Sequence, residues 1–155
     1  MIIKESKTAD TRSATDIVSK ETLLQSSEQH KNDIHQAIDW MREVLWTKAC
    51  NHDFTKIRNI DEFYDDFLAC QKDKSKDFRS MDWYQLHITE ERHHLDAKVP
   101  EDVNLFDVME RIADIVMAGM ARTGSVFPDK LPDGLLDRAY QNTIEMLKSR
   151  VTVEK

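Results

Sequence analysis

Six histidines are spread unevenly along the 155-residue chain, several of them beside carboxylates at spacings that can serve a divalent cation. His52 and Asp53 are adjacent. Neighbours on an ideal helix diverge by about 100°, so these two can converge on one ion only where the backbone departs from helical regularity, as at a helix end. Asp114 stands inside Ile112-Ala113-Asp114-Ile115-Val116-Met117-Ala118, a run that reads as a helix apolar on every side and therefore buried. An ionised carboxylate there is costly unless a cation or strong donors meet it, so Asp114 calls for either a metal ion or an Arg or Lys partner. His30 shares a helical face with Ile34 and Ala37, which predicts an inward-facing imidazole. Read singly, it is a satisfied core histidine. Read together, His30, His52, Asp53 and Asp114 form a mixed nitrogen and oxygen set suited to Mn, Co, Ni, Fe or Zn.

Half of the six histidines fall within the eight residues from His87 to His94, with Glu90 and Glu91 between them. His87 and His94 are seven apart, two turns along one helical face, and Glu90 or Glu91 shares a face with His87. The cluster of His87, His93 and His94 is either a solvated polar face or a set of second-metal ligands or proton donors.

Elements must carry these residues. With three Gly and three Pro in the chain, 33% charged and 40% hydrophobic residues, turn chemistry is too sparse for a sandwich or barrel, and an all-α domain is expected. The length is about one domain's worth. Residues 1–25 read as a tail or loosely docked helix, and 26–155 as the helical domain. A first helix is predicted from Ser26 or Ser27 to about Ala49, from Ile34, Ala37, Ile38, Met41, Val44 and Leu45. Asn51 to Thr55 breaks it. A second helix follows from about Asp61, and a charged loop from Asp73 to Ser80. A third helix runs from Trp83 to His94. Asn104 caps a fourth, with Asp107 three residues on, and Gly124 ends it. Leu135 to Val151 forms the last helix.

Lys plus Arg is 22 and Asp plus Glu 29, a net charge of -7, which argues against binding long nucleic acids or anionic membranes and leaves room for a small phosphate-bearing substrate. The longest nearly apolar run, Ile112 to Ala121, is about half of a membrane span and contains Asp114, so no membrane association is expected. Met1 to Gln25 shows no basic segment followed by an apolar one, which predicts no secretory signal. Cys50 and Cys70 form no CxxC pair, as suits a reducing cytoplasm.

The order His30, His52-Asp53, Asp114 resembles the HD superfamily of metal-dependent phosphohydrolases, whose pattern is H…HD…D on a helical bundle. His52-Asp53-Phe54-Thr55-Lys56 is also similar to the HDxxK form of the cyclic-dinucleotide phosphodiesterase branch. With Glu62, Phe63, Phe67, the His93-His94 pair and the Asp114 to Arg122-Thr123-Gly124 segment, the chain looks like a family of small HD-like proteins of bacteria and their phages. The resemblance covers roughly His30 to Gly124. It implies a single HD-like bundle of five to six helices, holding one divalent ion or two, that hydrolyses a nucleotide or other small phosphoester through a metal-activated water. Lys56 then contacts phosphate, and Arg111 or Arg122 assists, although Arg111 has the simpler option of pairing with Asp107 or Glu110. His87, His93 or His94 protonates the leaving oxygen or completes a second metal site. The nucleotidase branch has a glutamate where this chain has Lys56, so that glutamate's acid or base role does not transfer. The alternative is a non-catalytic helical protein that binds a metal or a partner. Either is expected in the cytoplasm, that of the host if phage-encoded.

Overall fold

A computed structural model describes residues 1–5, 17–96 and 98–154; residues 6–16, part of the expected tail, lie outside the described residues. The hydrophobic periodicity of the sequence is realised in α1 (Lys20–Asn51), the single turn α2 (Phe54–Arg58), α3 (Ile60–Lys72), α4 (Asp82–Glu90), α5 (Leu105–Thr123) and α6 (Leu135–Lys148), with a 3-10 turn at Phe78–Ser80. The protein is thus mostly helical, as its composition requires. None of the described helices is long and apolar enough to cross a membrane. An addition is a parallel two-strand ribbon of β1 (Ile2–Lys4) and β2 (Thr152–Glu154), pairing Ile2 with Thr152 and Lys4 with Glu154. Three-residue strands are too short to leave an alternating pattern, so nothing in the sequence announces them.

The chain divides into two compact units, 1–44 with 144–155, and 45–143. In the first, the Met1 amino group donates to the Arg150 carbonyl at 2.8 Å and Gln29 Nε2 to the Lys4 carbonyl at 2.9 Å. Here α1 begins at Lys20, earlier than Ser26, because Ser19 Oγ accepts from Thr22 N–H at 3.1 Å and so caps the helix ahead of its apolar stripe.

The second unit has two apolar groups. Leu95, Val103, Val108, Leu135 and Ala139 form the core; Phe63, Phe67, Phe78, Trp83 and Tyr84 make an aromatic cluster in which Phe63 stacks on Trp83 at 3.9 Å. The start of α5 follows the sequence: Asn104 Oδ1 accepts from Asp107 N–H at 3.2 Å while Asp107 Oδ2 accepts from Asn104 N–H at 3.0 Å, a reciprocal cap. Gly124, with φ 73°, ends the helix. Gly119 lets the chain beyond that end lie against α5, since a Cβ there would stand 2.6 Å from the Ser125 carbonyl oxygen.

The second expected helix is α3, beginning at Ile60; the turn α2 ahead of it is an addition, set off by Asn59 with φ -113° and ψ 42°. One helix differs from expectation. The third stops at Glu90, with Glu91 extended, because the Glu91 carboxylate turns inward to accept from Thr55 N–H at 2.9 Å. His93 and His94 therefore sit in a turn beyond α4.

Candidate metal centre

All the residues that converge belong to the second unit. His52 and Asp53 follow directly on α1, and Asp53 has φ 57° and ψ 28°, the one non-glycine residue of positive φ among the described residues. This left-handed step, which a short polar side chain tolerates best, turns the backbone so that adjacent side chains face one point. His52 Nε2 lies 3.5 Å from Asp53 Oδ2 and 3.6 Å from Asp114 Oδ1. Its Nδ1 donates to Glu110 Oε1 at 3.1 Å.

The turn after α4 brings in the other histidines. His93 Nδ1 is 3.5 Å from Glu110 Oε1, and its Nε2 is 3.7 Å from Asp53 Oδ1. These are electrostatic approaches longer than hydrogen bonds, and both nitrogens of this imidazole, 1% exposed, lack a hydrogen-bond partner among the described residues. His87 Nε2 is 3.5 Å from Asp53 Oδ1 and 3.0 Å from His94 Nε2. Two sets result, His52 with His93 and Glu110, and Asp53 with His87 and His94; in each, one ligand atom per residue lies within 4.8 Å of the others, so each set could hold a metal ion. The donors are imidazole nitrogen and carboxylate oxygen, which fit the borderline first-row cations expected from the sequence.

Charge is divided within the site. Asp114 first, then Glu110, raise His52 to about 10 against the opposing effect of burial. Burial pushes Glu110 up, but His52, His93 and Lys48 outweigh it and hold its carboxyl well below the usual range. Burial, with a smaller contribution from neighbouring imidazoles, lowers His87 and His94 to about 4, so both are neutral at pH 7. Neutral imidazoles are the form that ligates.

A scaffold of ion pairs holds these parts. Asp107, fully buried, accepts from Lys48 Nζ at 2.7 Å, Arg92 Nε at 2.9 Å and Arg92 Nη2 at 2.8 Å. Lys48 also reaches Glu110 at 3.0 Å. Arg111 pairs with Asp129 and Asp96 and donates to the His93 carbonyl at 3.2 Å. It is buried and its guanidinium is engaged by Asp129 and Asp96 in place of the pairing with Asp107 or Glu110 that the sequence offered.

Of the expected ligands, His52, Asp53 and Asp114 come together within the second unit, to which His30 does not belong. His30 is exposed on α1 of the first unit, so the inward-facing imidazole expected there is not found. The stretch around Asp114 is not buried on all sides either: Ile112 is 56% and Met117 69% exposed, and Asp114, half-buried, has His52 as its partner. Glu110 takes the place intended for His30. It lies four residues before Asp114, on the same helical face, and that spacing was the available signal. Thr55, buried, carried no such signal, whereas Glu91 was offered, beside Glu90, by its spacing from His87.

Among the clefts of the described residues, two are each lined by three or more of these imidazole and carboxylate side chains. One, about 370 Å³, is lined by Leu45, Ala49, Met109 and Met117 with His52, Glu110 and Asp114. The other, about 500 Å³, holds Asp53, His87, His94 and Asp114 together with Lys56, Arg79 and Arg122. Lys56 Nζ contacts Asp53 Oδ2, while Arg79 and Arg122 are exposed.

No family model matches the chain, and no curated protein or solved structure matches it.

Proposed function

We propose that this protein is a metal-dependent phosphohydrolase acting on a nucleotide or another small phosphoester. The observation that carries the reading is His93, whose two buried nitrogens stand between Glu110 and Asp53 without hydrogen bonds among the described residues. A buried polar group left so costs about 1–3 kcal/mol, and a cation shared with those carboxylates relieves it. His52, His93 and Glu110 would hold one divalent ion and Asp53, His87 and His94 a second, with Asp114 beside His52. An ion bound there lowers the pKa of a coordinated water and polarises a phosphoryl oxygen.

The chain's own groups account for substrate binding. Lys56, Arg79 and Arg122 line the larger cleft and supply charge-assisted hydrogen bonds to non-bridging phosphate oxygens. In a chain of net charge -7, three cations around a cleft that opens on carboxylates select an anion that the ions help to balance. His87 and His94, neutral and facing each other, suit ligation better than proton donation.

A phosphate-release screen over nucleotides and p-nitrophenyl phosphate with added manganese, cobalt or nickel tests the reading. Release that needs the metal and falls in His93→Ala supports it. Metal bound with no release from any substrate favours the second reading, a non-catalytic metal protein that works through a partner. That reading has one observation in its favour: Met109, Ile112, Met117 and Met120 are each about half exposed or more on α5.

A further inference from the structure

Beyond the ligand sets, a buried chain of hydrogen bonds runs from α4 to the turn that carries Asp53. Thr55, 0% exposed, has its Oγ1 at 2.7 Å from Glu91 Oε1 and at 2.7 Å from His87 Nδ1. The same Glu91 oxygen accepts from Thr55 N–H at 2.9 Å. Glu91 is 5% and His87 3% exposed, so water does not compete for these partners.

A hydroxyl has one proton to give and lone pairs to receive with, and a carboxylate can only accept. The Thr55 proton therefore goes to Glu91, and the lone pair left on Oγ1 faces His87 Nδ1. Two acceptors at 2.7 Å would repel, so Nδ1 carries the ring proton. We propose that Glu91 and Thr55 are positioning residues that hold His87 in its Nδ1–H tautomer and so keep Nε2 as a lone pair directed at Asp53 and His94. His87 Nε2 is 3.5 Å from Asp53 Oδ1 and 3.0 Å from His94 Nε2, the side on which the second ligand set converges. The ring plane is fixed as well, by stacking on Trp83 at 5.0 Å and 11°. A ligating imidazole whose other nitrogen donates to an oriented acceptor is the arrangement that raises ligand basicity and sets ring orientation. Thr55 lies two residues after Asp53, so the same link ties the orientation of His87 to the turn that presents the carboxylate.

The tautomer stands on the hydrogen bonds alone, whereas its consequence for metal affinity rests on the proposed metal centre; the two are measured separately. Imidazole nitrogen shifts of ¹⁵N-labelled full-length protein in EDTA give the tautomer, and equilibrium dialysis against Mn²⁺ gives the affinity. The expected result is a protonated Nδ1 and an unprotonated Nε2 for His87, kept in Thr55→Ser and lost toward Nε2–H in Thr55→Val. Thr55→Val should also weaken one of the two ions about 10-fold or more, with Thr55→Ser restoring it. Nε2–H in the unaltered protein overturns the proposal, and so does a tautomer unchanged in Thr55→Val, the outcome of a merely structural threonine. If Thr55→Val does not fold, Thr55→Ala, which also lacks the hydroxyl, takes its place with the same two outcomes. The expected tautomer without Mn²⁺ binding leaves the positioning role standing and removes the metal reading.

Discussion

Replacing Asp107 with Asn keeps the volume of a fully buried side chain and removes the charge that gathers Lys48 and Arg92. Four charge-assisted bonds are altered, those from Lys48 and Arg92 at 2.7, 2.8 and 2.9 Å and that from Asn104 N–H at 3.0 Å, each worth about 1.5–3 kcal/mol in a protein. The sum overstates the loss. Arg92 is 36% exposed and keeps Asp102 at 3.0 Å, and Lys48 keeps Glu110 at 3.0 Å. The expected cost is about 3 kcal/mol, the lower end for a broken buried pair. With a urea slope of about 2 kcal/mol per molar, the unfolding midpoint falls by about 1.5 M. The pH dependence has a definite sign. Burial pushes the Asp107 carboxyl up, but Arg92 and Lys48 outweigh it and leave it below its ordinary value. A depressed folded pKa contributes fully above the unfolded value and is lost as pH falls through the folded one. The gap between the two proteins should thus hold from about pH 5 to 8 and shrink below about pH 4. A gap under about 1 kcal/mol, or one that widens on acidification, would refute the scaffold role.

Three further outcomes follow from the centre. Lys56→Ala should lower kcat/KM on a phosphoester by about 10- to 150-fold, the equivalent of one charged hydrogen bond, with metal content unchanged; unaltered kinetics would remove Lys56 from the site. His52, raised to about 10 by Asp114 and Glu110, is protonated at pH 7 and must lose that proton to ligate, so metal affinity should rise with pH and binding should release a proton. Calorimetry in buffers of different ionisation enthalpy reads it, and no proton release would contradict the assignment. His30→Ala should leave metal stoichiometry unchanged by elemental analysis, in contrast to His93→Ala.

How much of this was legible depends on the length scale of each signal. The Asn104 and Asp107 cap is a local pattern three residues long, and it formed as read. The His52-Asp53 pair was visible as an adjacency, but the left-handed backbone at Asp53 that makes both side chains usable has no signature beyond the tolerance of aspartate for it. His30 was misassigned because periodicity reports which face a residue shares, not whether anything covers that face. The same reasoning made Asp114 deeply buried, whereas the outer side of α5 is open at Ile112 and Met117. His93 and His94 were recognisable as chemistry; their place in a turn depends on the long-range bond from Thr55 to Glu91, which no helical period encodes. Glu110 was read as a surface partner for Arg111 because the tie of Arg111 to Asp129 spans 18 residues.

Two sets of imidazole and carboxylate groups are proposed to hold divalent ions. Elemental analysis of the protein after equilibrium dialysis against Mn²⁺, beside Asp53→Ala and His93→Ala, counts those ions. Two per chain are expected, with at least one lost in each variant and the fold kept by circular dichroism. Less than one ion per chain in the unaltered protein, or the same content in all three, would contradict it.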